Sequence, residues 1–181
     1  MNKKVLKIAV IGVMSAFAFI LYFFEVSVGF LFPTAAFLTV DFSDVPAIIS
    51  TIMFSPIVGT TVELIKNILH FMFIRKDPGI SGELANFMAG VAYLIPVYLF
   101  VRDKYTLKRL IFGMIFGTLL STLVMVPVNY YITMEIYGIP EAVRMGLIVS
   151  TFTPYNILKG IMLTVSLVII YPRLHKLVKY L

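Results

Sequence analysis

Asn156 and Lys159 are the residues of this chain whose types and spacing most directly suggest chemistry. They stand three apart in Thr151-Phe-Thr-Pro-Tyr-Asn-Ile-Leu-Lys-Gly160, which opens an apolar segment running to Ile170. On a helix, residues three apart share a face, so a carboxamide and an ammonium point the same way. A lysine near the centre of a bilayer helix costs about 2.5–3.5 kcal/mol on insertion scales, which turns it toward protein or a cavity rather than lipid. Two readings compete. Either the pair grips a polar ligand inside a membrane bundle, or the lysine snorkels to an interface or is neutralised by an internal carboxylate. A second polar set, Glu63, Lys66, Asn67 and His70, falls at i, i+3, i+4 and i+7, again one helical face. It reads first as an internal Glu63–Lys66 pair that keeps a bundle in register, and second as a path for protons or cations.

The elements that must position these groups are membrane helices. The chain has 181 residues, of which 60% are hydrophobic and only 13% charged, with a mean hydropathy of +1.00. Soluble domains carry about 25% charged residues, so residues 1–181 read as a single all-α integral membrane domain with no soluble part. Cysteine is absent, which excludes disulfides and thiolate metal sites. Two histidines far apart, His70 and His175, argue against a histidine-rich metal site, and no metal ligand is expected. The net charge of +6 is read as membrane topology rather than as a sign of nucleic-acid binding. The N-terminus is basic and then apolar, like a signal peptide. Its apolar run is long, though, and no A-x-A site closes it, so a retained first helix is expected.

Val5 to Phe24 is long enough to span a bilayer, for which about 20 residues are needed. Gly12 and Ala16 form a small-xxx-small pair within it, suited to close helix approach or to ordinary packing in the same bundle. Glu25 to Ser43 is too long for a tight turn and too apolar for a free linker. It contains the strand-like run Phe37–Val40 and is expected to fold over one end of the bundle as a structured extracellular loop. Asp41 or Ser43 is placed to N-cap a helix beginning near Val45-Pro46. Ser55-Pro56 should break the next stretch, Val45 to Phe73, into two. A turn-rich loop follows from Arg75 to Gly82, then spans from Glu83 to Val101 and from Leu110 to about Ile132, with Asn129 just after Pro127. Thr133 to Met145 reads as a mixed connection, and a final helix is expected from about Gly146, closed by Pro172 and a basic tail.

Charge placement tests the number of crossings. With six spans, Lys3, Lys4, Lys7, Arg102, Lys104, Lys108, Arg109, Arg173, Lys176 and Lys179, ten of the 15 basic residues, share one side. Arg75, Lys76 and Arg144 lie opposite, and Asp103 is the one acid clearly on the basic side. Five spans would separate the basic N-terminus from the other two clusters. The positive-inside rule therefore selects six helices with both termini cytoplasmic, in a cell membrane. In that topology the loop after the first helix, Asn129, Asn156 and, deeper, Lys159 all fall toward the outer half, as a pocket open to the outside would require. Asparagine offers a donor and an acceptor and lysine offers donors, so the set suits a planar heterocycle edge that alternates acceptor, donor and acceptor. The 16 Phe and ten Tyr supply flat surface for the ring. A flavin, a uracil and a xanthine all present such an edge.

Beyond that point the chain resembles a known family over essentially its whole length. Leu38-Thr-Val-Asp-Phe-Ser-Asp-Val-Pro46, Lys66-Asn-Ile-Leu69, Ala85-Asn-Phe-Met-Ala-Gly90, Asn129-Tyr-Tyr131 and Pro154-Tyr-Asn-Ile-Leu-Lys-Gly160 resemble the substrate-capture S components of energy-coupling factor (ECF) vitamin transporters, most closely the riboflavin-specific ones. The resemblance implies a prokaryotic riboflavin-uptake subunit with six helices and the vitamin held near the outer face under the first loop. It implies that Asn129, Asn156 and Lys159 bond the isoalloxazine ring, with Leu38, Thr39 and Asp41 toward the ribityl end and Asn86 among the substrate-binding residues. The family's Ala-x-x-x-Ala docking motif in the first helix is met here by Gly12 and Ala16, with glycine in place of the first alanine. The implied partners are a transmembrane coupling subunit and two cytoplasmic ATPases, with riboflavin as cargo rather than cofactor. No G-x-x-x-x-G-K-[ST] phosphate loop is present in these residues. Competing readings are an S component for another vitamin or a purine, and an ion-coupled carrier using Glu63, Lys66 and His70. An intramembrane enzyme lacks a Cys nucleophile, H-E-x-x-H and paired mid-membrane carboxylates, so no catalytic residue is expected.

Overall fold

A computed structural model describes residues 3–74 and 80–179. Arg75, Lys76 and the rest of 75–79, the centre of the expected turn-rich loop, lie outside the described residues. Six helices follow one another. They are α1 (Lys3–Phe23), α2 (Asp44–Met53), α3 (Pro56–Phe73), α4 (Ser81–Val101), α5 (Leu107–Ile136) and α6, which runs from Glu141 through a π-helical turn at Ile148–Phe152 into Thr153–Lys179. Helices α1, α4, α5 and α6 are long and apolar enough to cross a bilayer. The α2–α3 break falls at Phe54 and Ser55. Ser55 is extended (φ −172°, ψ 164°), and Pro56 opens α3 where its missing N–H costs nothing. The two helices then pack back to back around Gly59, where a Cβ would stand 2.7 Å from the Ala47 carbonyl oxygen.

With ten residues, α2 is only about 15 Å long, half of what a crossing needs. The segment before it is a cap rather than a helix. Strands β1 (Val26–Ser27) and β2 (Thr39–Val40) pair antiparallel, Val26 opposite Val40, around a 3-10 turn at Pro33–Ala35. Val28, Ala35, Leu38 and Val40 from this cap pack with Met134, Ile148 and Phe152 of α5 and α6. Packed on protein in this way, the cap also lines a cavity with Leu38, Thr39 and Asp41. Its junction with α2 differs from expectation. Ser43 is the N-cap residue but makes no side-chain cap bond, and its N–H instead donates to Asp41 Oδ1 at 2.7 Å, a local Asx turn.

Two boundaries in the C-terminal half also differ. The expected connection from Thr133 to Met145 shrinks to the four residues 137–140, because α5 continues to Ile136 and α6 starts at Glu141 rather than near Gly146. Arg144 makes this possible. Its guanidinium donates to the carbonyls of Ile139 (2.8 Å) and Tyr130 (3.0 Å) and to Glu135 (2.5 Å), satisfying groups that a frayed end would leave to water. Gly138, at φ +66°, turns the chain where other residues would be strained. Pro172 does not close α6, which continues to Lys179. Tyr171 and His175, on either side of that proline, lie 5.1 and 5.9 Å ring to ring from Tyr105 in the α4–α5 loop, which holds the last turns in place.

The ends of the bundle have opposite character. Phe54 at the end of α2 shares a hollow with Arg102 and Lys104, and Tyr105 meets Tyr171 and His175 there, so the basic clusters at 102–109 and 173–176 lie together. At the other end the last turns of α1 and α3 meet, Tyr22 stacking on His70 at 3.6 Å and the Phe19 ring lying tilted to Phe73 at 6.0 Å.

Candidate binding cleft

The end away from the basic clusters holds a cleft beneath the cap, with about 880 Å³ of space between its walls, part of it open to solvent. Two of its walls are built by helix irregularities that trace to proline. Pro127 has no N–H to give to the turn before it. Two residues later α5 widens into a π-helical turn, Asn129–Thr133, in which the Met134 N–H bonds Asn129 rather than Tyr130. That turn puts Asn129 and Thr133 on the cleft. Pro154 does the same for α6: the π-helical turn Ile148–Phe152 absorbs the mismatch just ahead of it and brings Phe152, Tyr155, Asn156 and Lys159 to the same space. Such π turns recur at functional sites because they re-aim side chains without ending the helix.

The roof is the cap. Leu38, Thr39 and Asp41 line the cleft. Thr39 is held twice, its hydroxyl donating to Glu25 Oε2 at 2.8 Å and its carbonyl accepting from the Tyr155 hydroxyl at 2.6 Å. Phe37 stacks on Tyr137 at 4.5 Å and leans on Phe152 at 6.3 Å, an aromatic edge to the opening. The remaining wall comes from Asn86, Ala85 and Ala89 of α4 with Tyr22 and His70. His70 Nδ1 lies 3.1 Å from Glu83 Oε1.

All seven residues expected to bind substrate, Leu38, Thr39, Asp41, Asn86, Asn129, Asn156 and Lys159, line this one cleft. Gly12 and Ala16 do not. They face outward on α1, and a Cβ built on Gly12 meets nothing within 4 Å. The structure bears out the reading of Lys159 as neutralised by an internal carboxylate. Its ammonium pairs with Asp44 Oδ2 at 2.9 Å and donates to Asn86 Oδ1 at 2.7 Å, while the side chain still borders the cleft. Asn129 and Asn156 are only 2% and 5% exposed, yet neither carboxamide has a hydrogen-bond partner among the described residues. The Thr133 hydroxyl is buried and unpartnered as well. An unpaired buried hydroxyl costs about 1–3 kcal/mol, and beside it the two carboxamides give the cleft a polar surface with hydrogen-bonding capacity to spare.

The second polar set resolves differently. Lys66 bridges Glu63 Oε2, at 2.9 Å, and Asp44 Oδ1, all three fully buried, and the Asn67 amide donates to the Glu63 carbonyl at 2.8 Å. His70 belongs to the cleft instead. Sequence reasoning missed Asp44, which it treated as part of the cap's end. The signal was there in the charge count: two lysines inside apolar helices need two buried carboxylates, and Glu63 supplies one.

Comparison with known proteins gives a consistent picture. Residues 6–171 match the family model described as ECF transporter, substrate-specific component. The riboflavin transporter RibU of Staphylococcus aureus is 36% identical across 98% of this chain and 93% of its own length. The riboflavin transporter FmnP of Bacillus subtilis is 31% identical across 94% and 93%. Among solved structures, the S component of a bacterial ECF transporter superposes with a TM-score of 0.81 at 33% identity, covering 98% of this chain and 99% of that one. ThiT from Listeria monocytogenes, at 15% identity and a TM-score of 0.59, shares the fold.

Proposed function

The chain belongs to the substrate-specific components of ECF transporters, and from that premise we propose that it captures riboflavin at the outer face of a prokaryotic cell membrane for uptake. The observation that carries the reading is the pair of carboxamides on the cleft without a partner among the described residues, Asn129 and Asn156, beside a lysine that pairs with Asp44 and has donated one N–H to Asn86. A dioxopyrimidine edge alternates acceptor, donor and acceptor, and two carboxamides with one ammonium match it. Phe37, Phe152, Tyr137 and Tyr155 give the fused ring its apolar surface. Leu38, Thr39 and Asp41 close over the polyol end, and Asn86 serves by holding Lys159 in line. That two relatives of 36% and 31% identity are riboflavin transporters supports the choice of ring.

Transport in this reading needs partners. The 181 residues contain no nucleotide phosphate loop, so ATP is hydrolysed by two cytoplasmic ATPases joined through a transmembrane coupling subunit. The outward face of α1 around Gly12 and Ala16, with nothing packed on it, is where that subunit docks. The basic end of the bundle, and both chain termini with it, is cytoplasmic, following the positive-inside rule. Release follows when the assembled complex turns the cleft toward the cytoplasm.

Titration of the purified protein with riboflavin tests the assignment. Saturable quenching of flavin fluorescence and a yellow, flavin-absorbing preparation are expected, with no displacement by thiamine, uracil or xanthine. Absence of quenching, or displacement by a purine, would sink it.

A further inference from the structure

Asp44, the first residue of α2, is a single carboxylate shared by two lysines. Its Oδ1 meets Lys66 Nζ and its Oδ2 lies 2.9 Å from Lys159 Nζ, with no part of the residue exposed. The two lysines are not equivalent. Lys66 has a second carboxylate, Glu63, at 2.9 Å. Lys159 has as its other partner the neutral amide oxygen of Asn86, at 2.7 Å, and among the described residues Asp44 is its sole ion-pair partner. An ammonium has three N–H donors. One is taken by Asn86 of α4, Asp44 of α2 lies against the ammonium as an ion pair, and a donor is left for the cleft that Lys159 borders.

We propose that Asp44 is the positioning residue of the ligand site, setting both the direction of the Lys159 ammonium and its net charge, so that the cleft takes a neutral hydrogen-bond acceptor and not an anion. The inference rests on the riboflavin reading above. Its electrostatic part follows from the remaining charges on the cleft. Glu25 and Asp41 are acidic, and the other basic group there, His70, is paired with Glu83 behind the lining. An anion at the free N–H would meet an ammonium whose charge is already balanced, with carboxylates around it. A ring carbonyl pays no such penalty, and a dry site strengthens its one hydrogen bond. Without Asp44 the ammonium would carry an unbalanced charge and could swing toward any acceptor within its reach.

A double-mutant cycle separates this role from that of a plain helix-to-helix tie. Riboflavin affinity is measured for the full-length protein, Asp44→Asn, Lys159→Met, and the two combined. The combined variant keeps the Glu63–Lys66 pair, so its buried charges still balance and it serves as the folding control. Asp44→Asn should weaken riboflavin binding about tenfold or more when Lys159 is present, and by less than about twofold when Lys159 is methionine. An equal loss in both backgrounds, or no loss in either, overturns the proposal. If Asp44→Asn alone cannot be recovered folded, Asp44→Asn with Lys66→Met, which is charge-balanced, replaces it in the cycle. The charge itself has a separate readout, because reduced flavin is anionic at its pyrimidine edge and responds to charge placed there. The midpoint potential of bound riboflavin should rise in the Asp44→Asn protein, and an unchanged potential overturns the electrostatic part. Failure of the parent reading is distinguishable, since wild-type protein would then bind no riboflavin at all.

Discussion

At the scale of single residues, the cleft is defined by polar groups that find no hydrogen-bond partner among the described residues. Asn129, Asn156 and the Thr133 hydroxyl border it unpaired, and Lys159 borders it with donor capacity to spare. Replacing Asn156 or Asn129 with alanine should weaken riboflavin binding by about 1–3 kcal/mol each, read as a right-shifted fluorescence titration, because the ligand's own polar edge is then left unpaired. Glu63→Gln makes the opposite test. Glu63 is buried away from the cleft lining and serves Lys66. Its loss should lower the thermal midpoint in detergent, in keeping with about 3–5 kcal/mol for breaking a buried pair, while riboflavin affinity in the folded fraction stays within about twofold. Loss of coupled uptake with stability intact would instead favour an ion carrier. Residue types and helical spacing made Asn156, Lys159 and the Glu63 face legible in the sequence. The role of Asp44 was not legible, because its two lysines lie 22 residues and more than a hundred residues away in the chain.

At the scale of elements, proline and glycine do most of the shaping. The Ser55-Pro56 break could be read locally, since a proline in that place both lacks an N–H and clashes with the previous turn. Pro172 had the same local signature and did not end its helix. There the lost hydrogen bond is offset by Tyr105 stacking against Tyr171 and His175 from another loop, which no local pattern reports. The π turns after Pro127 and before Pro154 were likewise invisible, although they decide which side chains reach the cleft. Close packing of α2 on α3 gives a clean test. A Cβ at Gly59 would stand 1.9 Å from Thr51 Oγ1 and 2.7 Å from a backbone oxygen, so Gly59→Ala should destabilise the bundle by about 1–3 kcal/mol and appear as a lower thermal midpoint. Gly12→Leu adds bulk where there is open space. It should leave stability and riboflavin binding unchanged and abolish co-purification with the coupling subunit; unchanged co-purification would place the docking face elsewhere.

At the scale of the whole molecule, function depends on the bundle having two unlike ends. The basic clusters gather at one and the capped cleft at the other, and the buried Asp44–Lys66–Glu63–Lys159 group ties α2, α3 and α6 between them. The absence of native cysteine makes sidedness simple to measure. A single cysteine in place of Lys104 should react with a membrane-impermeant maleimide only after the cells are opened, whereas one in place of Phe30, exposed in the cap, should react in intact cells. The reverse pattern would invert the topology and point the cleft inward.

What the sequence determined by itself was whatever local composition and periodicity decide. That includes the membrane as solvent, the number of helices, the break before α3, the gathering of positive charge on one side, and the polar residues too costly to face lipid. These are properties of short windows, and the bilayer enforces them segment by segment. Only the tertiary structure decided which carboxylate answers which lysine, that a non-helical cap packs on α5 and α6 ahead of the short α2, and that the prolines of α5 and α6 aim Asn129 and Asn156 into one space. Those outcomes depend on distances between segments far apart in the chain. Buried charges and orphaned amides choose their partners there by proximity and dielectric, and neither is written in any single stretch of sequence.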